Sequence, residues 1–132
     1  MSNTTKTPSI KSINPFNNEV VKEFELMSPE KVASIIDKAD QAFKSWKNTS
    51  IEERATIMHK MASLMRDKKE DLGKLATLEM GKVLAQAIGE VKICAAIFDY
   101  YADNAAEFLA DKPLEVPHAE AFLSYEPIVV IS

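Results

Sequence analysis

The chain has 132 residues, 46% apolar and 27% charged, with a formal net charge of −4 and one cysteine. That is one domain's worth of polypeptide, and a compact fold of this size buries roughly two thirds of its surface. The composition excludes wholesale disorder, and a single cysteine excludes an internal disulfide.

Residues 1–8 are polar and threonine-rich and read as a flexible tail. Residues 10–14 alternate in strand fashion, Pro15, Phe16, Asn17 and Asn18 form a turn cluster, and residues 19–26 place Val20 and Val21 near Phe24. The pattern predicts a β-hairpin at the edge of the fold. Ser28 and Pro29 then open a helix, and Val32, Ile35, Ile36, Ala39, Phe43 and Trp46 recur along it at three- and four-residue steps. Asn48, Thr49 and Ser50 break that helix, and Ser50 with Glu53 has the spacing of a capping box for the next one. Ile57, Met58, Met61, Leu64 and Met65 form the expected buried face of this second helix.

Leu72, Leu75, Ala76 and Leu78 predict a short third helix ending near Gly81, where glycine takes a left-handed cap. A long fourth helix is expected over residues 83–109, with Ile88, Val91, Ala95, Phe98 and Tyr101 facing inward. Beyond Lys112 and Pro113 the period changes. Residues 121–125 read as extended and 128–131 as a short apolar strand. The predicted fold is thus an N-terminal β-hairpin, about four dominant α-helices and then short β-strands.

The charge pattern argues against a nucleic-acid partner, because basic residues alternate with acidic ones, as in Arg66, Asp67, Lys68, Lys69, Glu70 and Asp71, a solvated helix face. The longest uninterrupted apolar run, residues 93–98, falls far short of the ~18 residues of a membrane span. Residues 1–6 lack the apolar core of a signal peptide, so no membrane partner and a cytoplasmic address are expected.

Little catalytic chemistry is legible. Cys94 is the only possible thiol nucleophile, but it lies inside the long helix between Ile93 and Ala95, where a packed thiol is expected. His59 and His118 have no ligand-type neighbours in sequence, and His59 falls opposite the apolar stripe of its helix, a solvated position. Gly73, Gly81 and Gly89 belong to no phosphate-cradling loop. Glu79, Met80, Gly81 and Lys82 read as a helix end, with Glu79 solvent-exposed.

Several motifs in order carry a resemblance. They are the Asn14-Pro15 turn, the helix closing at Ala42-Phe43-Lys44-Ser45-Trp46, and the capping-box helix with Arg54. Leu78-Glu79-Met80-Gly81-Lys82, the Tyr100-Tyr101 pair and Tyr125-Glu126-Pro127 follow. Residues 9–131 so read resemble the front end of the NAD(P)-dependent aldehyde dehydrogenase family, closest in appearance to the bacterial succinate-semialdehyde dehydrogenases. The resemblance implies a truncated α/β fold. Residues 9–107 would be its hairpin and helical part, 108–127 the strands of an oligomerisation arm, and 128–132 the start of a cofactor-domain strand.

In that family the catalytic cysteine, the activating glutamate and the NAD or NADP site belong to later sequence, so the resemblance gives this chain no catalytic or cofactor-binding residue. It points instead to Ile93 and Ile97 as wall of the substrate tunnel, with plain core packing the favoured reading of both, and to Glu79 with Ser12 and Ile13 as a monovalent-cation site. It also implies a homo-oligomer. Val129 departs from the glycine usual at that point, and with the stop at Ser132 it suggests an interrupted frame or a fragment, inactive alone and binding no cofactor. A helical module that binds a full-length family member is the alternative, and a free-standing thiol enzyme using Cys94 a distant third.

Overall fold

The computed structural model describes residues 8–128. Strands β1 (Ser9–Ile13) and β2 (Val20–Glu25) form an antiparallel hairpin, with Ile10 opposite Phe24 and a register shift that sets Ile13 opposite Val20. Two asparagines build the turn. Asn14 Oδ1 accepts from the Phe16 amide at 3.0 Å, and Asn17 Oδ1 accepts from the Glu19 amide at 3.1 Å. Asn18 takes the left-handed conformation, which asparagine tolerates better than most residues. Pro8, assigned from sequence to the tail, is tied in, because its carbonyl accepts from the Leu26 amide at 2.8 Å.

Helix α1 (Pro29–Trp46) begins where Ser28 Oγ accepts from the Lys31 amide. Its C-terminal carbonyls are closed from outside: Arg54 Nη2 donates to both Trp46 O and Lys47 O at 3.1 Å, with the guanidinium over the Trp46 ring. Arg54 belongs to α2 (Ile51–Asp67), which opens on the complete Ser50–Glu53 capping box. Helix α3 (Lys69–Met80) ends at Gly81, whose φ of 68° is the left-handed cap expected from sequence. Helix α4 (Leu84–Phe108) is the longest element, and β3 (Lys112–Leu114) pairs antiparallel with β4 (Ala121–Leu123) after it.

Packing between elements is concentrated where α4 lies against α2 and α3. The buried residues there are all small: Ala62 on α2, Gly73 on α3, and Ala87, Ala95 and Ala102 on α4. Small residues let helix backbones approach closely. A Cβ on Gly73 would stand 2.6 Å from Ile88 Cγ1 and 3.2 Å from the Ile88 backbone nitrogen, so α3 and α4 could not meet as they do around any other residue.

This seam corrects several sequence expectations. Ile57, Met61 and Leu64 were expected inside and are exposed, while Met58 and Met65 are half-buried. Tyr101 likewise faces solvent, whereas Ile88, Val91 and Phe98 are half-buried as expected. The alanines take the central contacts and push the larger side chains to the rim. Helix α1 buries none of its stripe. Of the apolar strand expected over 128–131, residue 128 has no strand partner and the remainder lies outside the described residues, as does the tail before Pro8. Among the described residues no helix is long and apolar enough to cross a membrane.

A charged cluster spans α2 and α4. His59 Nδ1 lies 2.8 Å from Asp99 Oδ1, His59 Nε2 lies 3.2 Å from Asp103 Oδ1, and Arg66 Nη2 donates to Asp99 Oδ2. His59 is exposed, as expected from its own helix, and it also bridges to α4, a helix that sequence spacing could not place opposite it. Hydrogen bonds from Arg66 and then His59 hold the Asp99 carboxyl below its ordinary value of 3.8, against a small opposing effect of desolvation.

A depressed folded-state pKa means that the stabilisation from Asp99 is complete above the ordinary aspartate range and is lost as pH falls through the folded-state value. Thermal melts of the chain and of Asp99→Asn should differ most near neutral pH, with the variant less stable, and should converge only once pH falls through the folded-state value, below the ordinary 3.8. Coincident melts at neutral pH would show that the cluster contributes nothing to the packing of α2 on α4.

Candidate functional site

Two places on this scaffold gather the residues singled out from sequence. The first is the joint between the hairpin and the end of α3. The αL cap at Gly81 turns the chain sharply there, and Pro15 of the hairpin turn packs into the space this leaves, 3.0 Å from where a Cβ on Gly81 would be. Alongside, Ser12 Oγ donates to Glu79 Oε1 at 2.8 Å, a link between positions 67 apart in sequence. Glu79 is half-buried, not the solvated helix-end residue that its local sequence implies. Ile13, the neighbour of Ser12, sits at the register shift of β1.

The joint therefore brings Ser12 and Glu79 into contact and keeps Ile13 next to them in the strand. Its chemistry is one carboxylate, one hydroxyl and strand backbone, an oxygen-rich set. Among the described residues no group of three or more His, Cys, Asp and Glu side chains could hold a metal ion. A transition-metal centre has no ligand set there, whereas a singly charged ion needs only oxygens.

The second place is the outer face of α4. Ile93 and Ile97 lie one turn apart and are 60% and 49% exposed. Tyr100 and Tyr101 continue the surface, their rings 5.4 Å apart edge to face, and Phe108 lies 6.0 Å from Tyr100. Cys94, expected to be packed, is exposed on this side of the helix. The reason is positional: its neighbour Ala95 occupies the buried seam, and one residue is about 100° around a helix. Exposure alone does not make the thiol a nucleophile, and among the described residues it has no hydrogen-bond or ion-pair partner. His118, in the loop between β3 and β4, has a positive φ of 62° and joins neither place.

The sequence alone missed the Ser12–Glu79 bond and the His59, Asp99, Asp103 and Arg66 cluster. Both join elements distant in sequence, and the sole advance signal for either was the resemblance that paired Glu79 with β1.

The aldehyde dehydrogenase family model matches residues 2–132. The succinate-semialdehyde dehydrogenase [NADP(+)] of Deinococcus radiodurans is 38% identical over 120 residues, which are 91% of this chain and 25% of that protein. A probable succinate-semialdehyde dehydrogenase [NADP(+)] of Synechocystis is 34% identical over 93% of this chain and 27% of its own length. Among solved structures, the succinic semialdehyde dehydrogenase of Streptococcus pyogenes, in complex with NADP+, superposes with a TM-score of 0.81 at 36% identity. That match covers 85% of this chain and 25% of the other. Gox0499 superposes with a TM-score of 0.88 at 34% identity, over 91% and 26%. With a hairpin, four helices and a second short strand pair that overlay on such enzymes, and spanning about a quarter of their length, the chain belongs to the aldehyde dehydrogenase family.

Proposed function

We propose that the chain is the N-terminal portion of a succinate-semialdehyde dehydrogenase that uses NADP, and that alone it neither turns over an aldehyde nor binds a dinucleotide. The observation that carries this reading is the 38% identity to a succinate-semialdehyde dehydrogenase [NADP(+)] across nearly the whole chain. Oxidising an aldehyde by this route needs an activated thiolate, a base for water and a phosphate-cradling loop. These 132 residues offer a single cysteine, without an activating partner among the described residues, and no glycine-rich loop.

In the intact protein Ile93 and Ile97 form part of the substrate tunnel, supplying apolar walls that orient an aldehyde and keep water out. Ser12, Ile13 and Glu79 hold a monovalent cation that braces the hairpin against α3. Residues 108–127 are an arm through which copies of the protein pair, and the address is cytoplasmic. A second reading, a helical module that docks on a full-length family member, is favoured by one observation: α1 buries none of its apolar stripe.

Three measurements test these statements. Purified chain mixed with NADP+ and succinate semialdehyde should form no reduced cofactor. Turnover that vanishes in Cys94→Ser would instead make the chain a thiol enzyme. Sodium or potassium chloride should raise the melting temperature above that in tetramethylammonium chloride at equal ionic strength, since a ligand of the folded state stabilises it by mass action. Glu79→Gln should abolish the difference, and equal melts in all three salts would remove the cation. Light scattering should show self-association of the chain at tens of micromolar, reduced by Val130→Lys within the apolar stretch 128–131. A monomer that instead joins full-length Streptococcus pyogenes enzyme in one complex would select the docking module.

A further inference from the structure

Beside the joint lies a recess of about 330 Å³ between the hairpin turn, the second half of α3 and the start of α4. We propose that it binds a small monocarboxylate with an apolar tail, the carboxylate on Lys74 and the tail against Phe16, Leu78 and Leu84. The volume falls at the lower end of the roughly 300–1,000 Å³ typical of small-molecule sites. The walls are held in place by the Ser12–Glu79 bond and by Pro15 packing on the Gly81 cap. Its shape therefore exists before any ligand arrives.

The lining selects the chemistry. Lys74 is its only charged residue, and among the described residues it has neither a hydrogen bond nor an ion pair. Nearby Lys82 is by contrast already neutralised, its Nζ 2.5 Å from both carboxylate oxygens of Glu90. Asn14 contributes a second donor. Its Oδ1 is taken by the Phe16 amide, while its NH2 group has no partner among the described residues. Thr77 spends its hydroxyl proton on Gly73 O at 3.0 Å. The free protons of the recess therefore belong to Lys74 and Asn14, around one positive charge, while the Thr77 hydroxyl keeps only accepting capacity; the charge calls for an anionic acceptor.

The remainder is apolar. Phe16 is 91% exposed, a ring held in water at the mouth by the Asx turn at Asn14. A hydrocarbon tail lying on Phe16, Leu78 and Leu84 removes that surface from water, and no second cation in the lining receives another carboxylate. A fatty-acid-like monoanion fits these terms. A dicarboxylate, an amine or a phosphate ester with a polar body does not.

Amide chemical shifts of the full chain, followed during separate titrations with sodium octanoate, octylammonium chloride, 1-octanol and sodium succinate, test the assignment. Octanoate should cause saturable shifts at Asn14, Phe16, Lys74, Leu78 and Leu84 and bind more tightly than octanol, with octylammonium and succinate weakest. Lys74→Gln should weaken octanoate by roughly threefold, the size of a solvent-exposed ion pair, and leave octanol unchanged. Lys74→Arg should restore octanoate binding. Octylammonium binding as well as octanoate, equal octanoate binding by Lys74→Gln, or shifts spread along the α1 stripe instead of the recess would each overturn the site.

Discussion

The close approach of three helices through small residues is the constraint on which the remaining structure depends. Gly73 faces Ile88 at a distance that excludes a Cβ, and Ala62, Ala87, Ala95 and Ala102 fill the same seam. Close approach favours dispersion contacts between backbones, but it buries little apolar area per residue compared with leucine or phenylalanine. The consequence runs outward. With alanines at the centre, larger apolar groups of α2 and α4 stand at the rim or in solvent, and Cys94 is carried outward by the burial of Ala95. The apolar outer face of α4 is thus a by-product of how its inner face is built.

Two polar contacts then fix what the seam leaves free. The Asp99 carboxylate bridges His59 and Arg66, so α2 and α4 are held in axial register as well as in contact. The Ser12–Glu79 bond attaches the hairpin to the end of α3, where Pro15 already fits against the glycine cap. Neither contact is deeply buried, and exposed ion pairs and hydrogen bonds contribute little free energy each, about 1 kcal/mol or less. Their role is geometric. They choose one arrangement among several that apolar packing alone would tolerate.

This division explains which parts of the structure could be read from sequence. Helix limits were legible because their signals are local: Ser28 with Pro29, the Ser50–Glu53 box, and Gly81 all act within one turn of the boundary they set. The hairpin was legible from its asparagine-rich turn. Burial was not. Periodicity identifies an apolar face but does not say that small residues will take its centre, so Ile57, Met61, Leu64 and Tyr101 were assigned inside and lie outside. The polar links at His59 and Glu79 were illegible for a stricter reason. Each joins residues on separate elements, and nothing in either local sequence records the partner.

Family membership gives the exposed surfaces a common reading. The chain overlays on proteins about four times its length with TM-scores of 0.81 and 0.88, so its backbone is close to the form that the matching quarter takes in those larger folds. A backbone so faithful to that form, yet carrying Ile93, Ile97, the Tyr100–Tyr101 pair and most of the α1 stripe (Val32, Ile35, Ile36 and Trp46) in solvent, has two kinds of surface. The seam and its two polar links are self-contained, formed by contacts within residues 8–128. The apolar faces of α1 and α4 are not, since burying them requires more chain than this or another chain. On that division the internal contacts set the shape, and the apolar outer faces of α1 and α4 are set by none of them.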